Sequence, residues 1–361
     1  MKYKIDNFSK EKAYIQLYRQ LRQDITDGIF KYGSKLPSKR LLAEEAGVSV
    51  ITVEHSYSLL CDEGYTEAKE RKGYFVIYKE KDFLSINERN EEEKIHEKSL
   101  HGTESIFPFS VLSKTMRRVL SVYGEDILVK SPNLGCNELR RAIADYLSRN
   151  TGIITRPECI IIGSGAEYLY SLIVMLLGRD RIFALENPSY EKIHKVYSAC
   201  EVECRMLSMG RDGIKTEELE DTDADVLHIT PFNSYPSGIT ATASKRMEYL
   251  SWAKERNAVI IEDNYDSELT VSTKHEDTVF SLDKDGCVIY LNTFSKTVAP
   301  SMRVGYMILP EKMLQDFESR LGFYSCTVPV FEQYVLSELI EKGDFERHIN
   351  RTRRIRRKVM E

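Results

Sequence analysis

The chain has 361 residues, too many for one small domain and suited to two, or to one with a large α/β body. Its 42% apolar and 30% charged residues can bury a sizeable core, and a net charge of −5 argues weakly against nucleic acid as a partner of the whole surface. No apolar run approaches the roughly 18 residues of a membrane span, and no signal-peptide pattern opens the chain, so a cytoplasmic protein with no membrane partner is expected.

Seven scattered cysteines without a CxxC pair point to reduced, mostly buried thiols. Cys200 and Cys204 lack accompanying histidines, so no metal site is expected. Charge is unevenly spread. Residues 1–80 hold 14 Lys and Arg against 12 Asp and Glu, while residues 81–105 hold 4 against 7. The N-terminal part is the least acidic, which permits DNA binding without proving it.

Residues 11–30 read as an amphipathic helix, with Tyr14, Leu17, Tyr18, Leu21 and Ile25 at three- and four-residue spacing. Ser38 is the expected N-cap of a short helix with Leu41, Leu42 and Ala46 inward and Gly47 past its end. Ser49 caps a third helix facing inward through Val53, Tyr57 and Leu60. Tyr65–Tyr78 alternates around Arg71-Lys72-Gly73 as a β-hairpin. Three helices and a hairpin make a winged helix-turn-helix. Its second motif helix would present Ser49, Ile51 and Thr52 to the major groove, with Glu54 and His55 one turn on. Arg40 would reach a phosphate or a guanine, and Lys72 and Gly73 the neighbouring minor groove. Each, taken singly, is equally well a solvated surface residue.

Residues 81–105 form a charged linker, most densely over Asn87–Lys98. From 106 onward short apolar runs alternate with helical periodicity. Strands are expected at Cys159–Ile162, Arg181–Leu185, Asp225–Ile229, Val259–Ile261 and Cys287–Leu291, giving a mostly parallel α/β sheet buried on both faces. In such sheets ligands sit beyond the carboxyl ends of the strands. There the chain places Gly163-Ser164-Gly165-Ala166, Glu186-Asn187-Pro188-Ser189-Tyr190, "TPFNSYPSG", Glu262-Asp263-Asn264-Tyr265, and Asn292-Thr293-Phe294-Ser295-Lys296 with Arg303. A lysine amine captures aldehydes, a carboxylate keeps a pyridine nitrogen protonated, and hydroxyls, an arginine and a helix N-terminus satisfy a phosphate. A lone lysine is a surface group, and one GSG is a common loop. Five successive strand ends with complementary chemistry are much less so.

The stretch from Leu17 to Val76, with "GSKLPSKRLLAEEAGVSVITVEHSYSLLCDEGY" and "RKGYFV", resembles the GntR family's DNA-binding domain. It departs where Val50 replaces a usual arginine and Glu54 an often basic residue. Both losses should weaken phosphate contact and its salt dependence, and Glu54 could instead accept from a cytosine amine. The remainder is similar to fold-type I, aminotransferase-like proteins, and the whole chain resembles the MocR subfamily of regulators. "YLNTFSKTVAPSMRVGY" then implies Lys296 as the Schiff-base lysine of pyridoxal 5'-phosphate, with Thr293, Ser295 and Arg303, together with Gly165 and Ala166, at the phosphate. "VIIEDNYDSEL" implies Asp263 at the pyridine nitrogen and Tyr265 at the ring hydroxyl, and "ENPSY" implies Tyr190 stacking on the ring. Where the family commonly has His-Gln this chain has Asn233 and Ser234, with Asn233 the substitute polar contact.

The resemblance implies a winged helix-turn-helix over 1–80 and an α/β/α fold-type I domain over 106–361, its C-terminal small domain missing from the sequence. The closing basic run Arg347–Lys358 reads as a solvated helix face in preference to a second DNA contact. The implied function is a DNA-binding transcription regulator that responds to pyridoxal phosphate and to an amine or amino-acid effector. It would act on a double-stranded operator as a head-to-tail homodimer. The alternatives are a working aminotransferase and a degraded regulator that binds DNA but no cofactor.

Overall fold

In the computed structural model, residues 3–6, 11–69, 72–78, 107–270 and 277–360 are described; the charged linker falls outside them. The chain divides into two compact units, Met1–Glu104 with Pro108–Arg118, and Ser105–Phe107 with Val119–Glu361.

The first unit carries α1 (Ala13–Thr26), α2 (Lys39–Ala46) and α3 (Val50–Asp62), then strands β1 (Thr66–Lys69) and β2 (Gly73–Val76). The strands pair antiparallel from Thr66↔Val76 to Lys69↔Gly73. Ser38 Oγ accepts from Leu41 N–H, and Ser49 Oγ accepts from Thr52 N–H, so both expected caps form. Gly47 closes α2 in the left-handed region at φ 65°, where a side chain would be strained. The core joins Leu17, Leu21 and Ile25 of α1 to Leu42 and Ala46 of α2 and to Val53, Tyr57 and Leu60 of α3. Leu41, expected inward, is 49% exposed. At about 100° per residue, Leu42, Ala43 and Ala46 fill the inward stripe and leave no place for it.

The second unit is built on seven strands: β3 (Ile160–Gly163), β4 (Phe183–Asn187), β5 (Cys204–Ser208), β6 (Val226–Ile229), β7 (Val259–Asp263), β8 (Val288–Thr293) and β9 (Gly305–Ile308). Their order is β3-β9-β8-β7-β6-β4-β5. The sheet is mostly parallel, with β9 antiparallel to both β3 and β8. The five strands expected from sequence all form, displaced by at most two residues, and β5 and β9 are added to them.

Both faces of the sheet are covered. Adjacent residues within one strand belong to opposite apolar clusters: Leu185, Ile261 and Ile289 pack on one side with Leu169 and Ile173, and Ala184, Ile260 and Val288 pack on the other with Tyr249 and Trp252. This two-sided burial explains why the central strands read as unbroken apolar runs. The polar residues that follow each run are thereby confined to the sheet's carboxyl edge. Among the described residues no helix is long and apolar enough to cross a membrane.

Trp252 is the chain's single tryptophan and lies in the second cluster, so its emission reports on this unit. Truncating the fully buried Ile260 to alanine should lower this unit's stability by about 2–5 kcal/mol. Urea unfolding followed by Trp252 emission checks this; a midpoint unchanged from wild type would contradict the assigned packing.

Candidate functional site

The sheet's carboxyl edge opens into a cavity of about 350 Å³. Eight of the ten residues singled out in the sequence for a cofactor line it: Ala166, Tyr190, Asp263, Tyr265, Thr293, Ser295, Lys296 and Arg303. They come from four separate strand ends and from the segment that leads into β9.

Asp263 is the last residue of β7 and is buried. Its Oδ1 accepts from Tyr265 N–H at 3.2 Å, and the Tyr170 hydroxyl donates to Oδ2. Behind it, His228 Nε2 lies 3.8 Å from Oδ2, and the other ring nitrogen meets the Tyr197 hydroxyl at 2.7 Å. The carboxylate is thus held by a tyrosine of α4 (Ala166–Leu177) and a backbone amide of the turn after β7, with the β6 imidazole behind it beyond hydrogen-bond distance.

Lys296 follows β8, with its ammonium 5.1 Å from the centre of the Tyr265 ring and 4.0 Å from Asp266 Oδ1. Asp266 also reaches Arg356 Nη1, at 3.4 Å. The Tyr265 hydroxyl donates to the Asn233 carbonyl at 3.2 Å, and Ser295 Oγ donates to the Met302 carbonyl at 3.1 Å.

The glycine turn after β3 leads directly into α4. Gly165 has φ 91°, and a Cβ there would lie 3.0 Å from Arg303 Nη2. Glycine is required both by the backbone conformation and by the close approach of the guanidinium. Arg303 Nη2 lies 2.5 Å from Glu167 Oε2, and Lys192 Nζ lies 3.5 Å from Glu167 Oε1. Tyr190 is 42% exposed and meets the Tyr235 ring edge-on at 6.1 Å.

Two expected residues do not line the cavity. Gly165 acts by leaving room beneath Arg303. Asn233 sits in the left-handed region at φ 51° and serves through its carbonyl, while Tyr235, two residues on, supplies the lining side chain. Ser234 is buried and donates to Glu186 Oε2 at 2.5 Å. Glu186 Oε1 also accepts from Thr230 N–H at 3.0 Å.

Sequence reasoning passed over Glu167, Tyr170, Lys192, Thr230, Tyr235, His228 and Asp266. Of these, Tyr170 stands four residues after Ala166 on α4, the spacing that shares a face with it, which is the one signal that could have found it. The closing basic helix also differs from expectation. Arg351, Arg354, Arg357 and Lys358 are exposed as expected. Arg353 turns inward to the Glu268 carbonyl at 2.5 Å, and Arg356 to Asp266 and the Leu269 carbonyl. Buried acceptors in the Asp266–Leu269 turn draw these two cations off the solvated face.

In the first unit Arg40 and Lys72 are exposed and Ile51 is 64% exposed. Ser49 and Thr52 are tied to each other, with hydroxyl oxygens 2.9 Å apart at the start of α3. Gly73 has φ 107° and lies against the Lys35 side chain. Glu54 pairs with Lys39 at 2.6 Å, so its carboxylate has a partner within the head and not only the base edge expected for it.

The signature of the GntR-family bacterial regulatory proteins matches residues 13–76, and that of the class I and II aminotransferases matches residues 108–360. The HTH-type transcriptional regulator YdeL of Bacillus subtilis (strain 168), itself uncharacterized, is 34% identical over 355 residues, covering 96% of this chain and 77% of that protein. This chain belongs to the MocR-type regulators of the GntR family. The probable rhizopine catabolism regulatory protein MocR of Rhizobium meliloti is 29% identical, covering 97% of this chain and 76% of its own. Among solved structures, kynurenine aminotransferase of Pyrococcus horikoshii superposes with a TM-score of 0.63 at 26% identity, covering 76% of this chain and 74% of that one. That structure was solved in complex with PMP and kynurenine. The expected architecture, a winged head with a fold-type I aminotransferase-like domain, is the one this MocR-type regulator has.

Burial raises the Glu186 carboxyl to about 7, against the lowering effect of Ser234 and Thr230, with repulsion from Asp263 adding to the rise. The folded pKa lies above the ordinary value of 4.5, so the native state holds its proton more tightly than the unfolded chain. The stability this contributes is present at low pH and is lost as pH rises to about 7. Replacing Glu186 by glutamine should therefore favour the variant increasingly from about pH 5 to about pH 8. Thermal melts across that range check the sign; a difference that is constant or shrinks with pH would contradict it.

Proposed function

We propose that this MocR-type protein is a transcription regulator whose head (1–80) binds a double-stranded DNA operator and whose body (106–361) binds pyridoxal 5'-phosphate, the two joined by the charged linker 81–105. The observation that carries the reading is the convergence of an amine, a buried carboxylate, a tyrosine hydroxyl and a guanidinium on one cavity. These are the groups that a phosphorylated pyridine aldehyde requires. Asp263 fits the pyridine nitrogen, because a carboxylate fixed at a strand end and backed by Tyr170 and His228 costs no reorganisation. Tyr265 fits the ring hydroxyl, Tyr190 the ring face, and Arg303 with the amino end of α4 the phosphate.

When bound, the cofactor supplies an aldehyde that a primary amine can capture and a ring that accepts electrons. Lys296 presents such an amine on a half-exposed side chain. Asp266 and the Tyr265 ring face hold that ammonium at the cavity's edge, within reach of an entering aldehyde. An amine or amino-acid effector competing with Lys296 would then change which groups the cavity holds, and differential affinity for two states of the protein is what a ligand needs to switch it. The physiological role is regulatory and cytoplasmic, in keeping with relatives named as regulators that align along nearly the whole of this chain. A head-to-tail homodimer would match a repeated or palindromic operator.

Two measurements test the two halves. Adding pyridoxal phosphate to the purified protein should develop a visible absorbance that Lys296→Ala abolishes; its absence in the wild type, or its survival in the variant, would overturn the cofactor half. In gel shifts on DNA upstream of its own coding region, Arg40→Ala should weaken binding by about 1–3 kcal/mol, and equal affinity would remove Arg40 from the interface.

A further inference from the structure

The corner of the cavity that suits a phosphate already holds an anion. Glu167 is the second residue of α4, where free backbone N–H groups and the helix dipole favour negative charge. Its two carboxylate oxygens face Arg303 at 2.5 Å and Lys192 at 3.5 Å. The three features that would hold a phosphate dianion (helix N-terminus, guanidinium and ammonium) are therefore all engaged by one side chain of the same molecule. The glycine at 165 keeps Arg303 in that pairing, since a Cβ would stand 3.0 Å from the guanidinium. Partial burial opposes ionisation of Glu167, but its own backbone N–H, Arg303 and Lys192 outweigh it and hold the carboxyl below its ordinary value.

A carboxylate and a phosphate cannot both keep the shortest contact with one guanidinium fork. Nor can they lie side by side without repulsion, and the two cations neutralise a dianion only when no further negative charge shares them. Phosphate entry is then an exchange: the Arg303–Glu167 pair opens, the phosphate takes Arg303 and the helix N-terminus, and Glu167 retains Lys192 alone. We infer that Glu167 is a built-in stand-in for phosphate that ties Arg303 in the unliganded protein and sets the affinity for the phosphate group of the ligand.

The inference deepens the reading that this cavity takes pyridoxal phosphate and rests on it for the ligand's identity. Its experiment compares wild type and Glu167→Gln for binding of pyridoxal phosphate, pyridoxal, which lacks the phosphate, and inorganic phosphate. Glutamine keeps the size and removes the competing charge. The variant should bind pyridoxal phosphate about tenfold tighter, the worth of one charge-assisted hydrogen bond no longer surrendered, with pyridoxal affinity unchanged within about twofold. Inorganic phosphate should raise the melting temperature of the variant more than that of wild type. Equal or weaker pyridoxal phosphate binding by the variant, or an equal gain for pyridoxal, would overturn the inference. If neither protein binds pyridoxal phosphate, the cofactor reading fails, and the inorganic phosphate comparison still decides whether Glu167 guards an anion site. Glu167→Ala serves as the second variant, with Trp252 emission verifying the fold.

Discussion

Everything at the site depends on strand direction. A parallel sheet brings the carboxyl ends of its strands to one edge, so residues far apart in sequence meet without long loops. β3, β4, β6, β7 and β8 all run this way, and the one reversed strand, β9, returns between β3 and β8. That reversal carries Arg303, which stands just before β9, back toward the start of α4. With β9 parallel, the guanidinium would enter at the opposite edge, and no cavity would hold both it and Lys296.

Two-sided burial has an electrostatic consequence. Strand ends, and the turn that follows β7, carry acids into places with little water: Glu186, Glu262 and Glu268 are all buried, and burial lifts each carboxyl to about 7. Each accepts hydrogen bonds, Glu262 from Val279 and Phe280 N–H and Glu268 from Asn292 Nδ2. Such groups fix geometry more than they stabilise the fold, because the desolvation of a charge offsets much of what its partners return. Arg353 and Arg356 of the closing helix join this acid-rich region, and Asp266 stands between Arg356 and Lys296. The amine at the cavity is thus linked through one carboxylate to the last helix of the chain.

The sheet was legible because its central strands are buried on both faces and read as apolar runs bounded by polar turns. β5 escaped notice since Cys204–Ser208 is an edge strand with half-exposed residues and no such run. β9 escaped since its first two residues close a segment read only as a motif. Site residues at strand ends were legible by position. Glu167, Lys192 and Tyr235 were not, because whether a helix or loop side chain points into a cavity depends on packing that sequence spacing does not specify. At Asn233, a polar residue at a plausible position, it is the carbonyl that meets the Tyr265 hydroxyl, in a left-handed backbone that the sequence did not announce. In the head, Ser49 and Thr52 were singled out for DNA, and their hydroxyls are partly spent on capping α3.

The central claim is that one lysine out of the many in this chain sits where a carbonyl-bearing cofactor is captured. The most direct measurement is peptide mapping by mass spectrometry after incubation with pyridoxal phosphate at equimolar ratio and reduction with borohydride. The account predicts a phosphopyridoxyl group on the peptide carrying Lys296 and on no other. Labelling spread over surface lysines, or concentrated on Lys192, would contradict it.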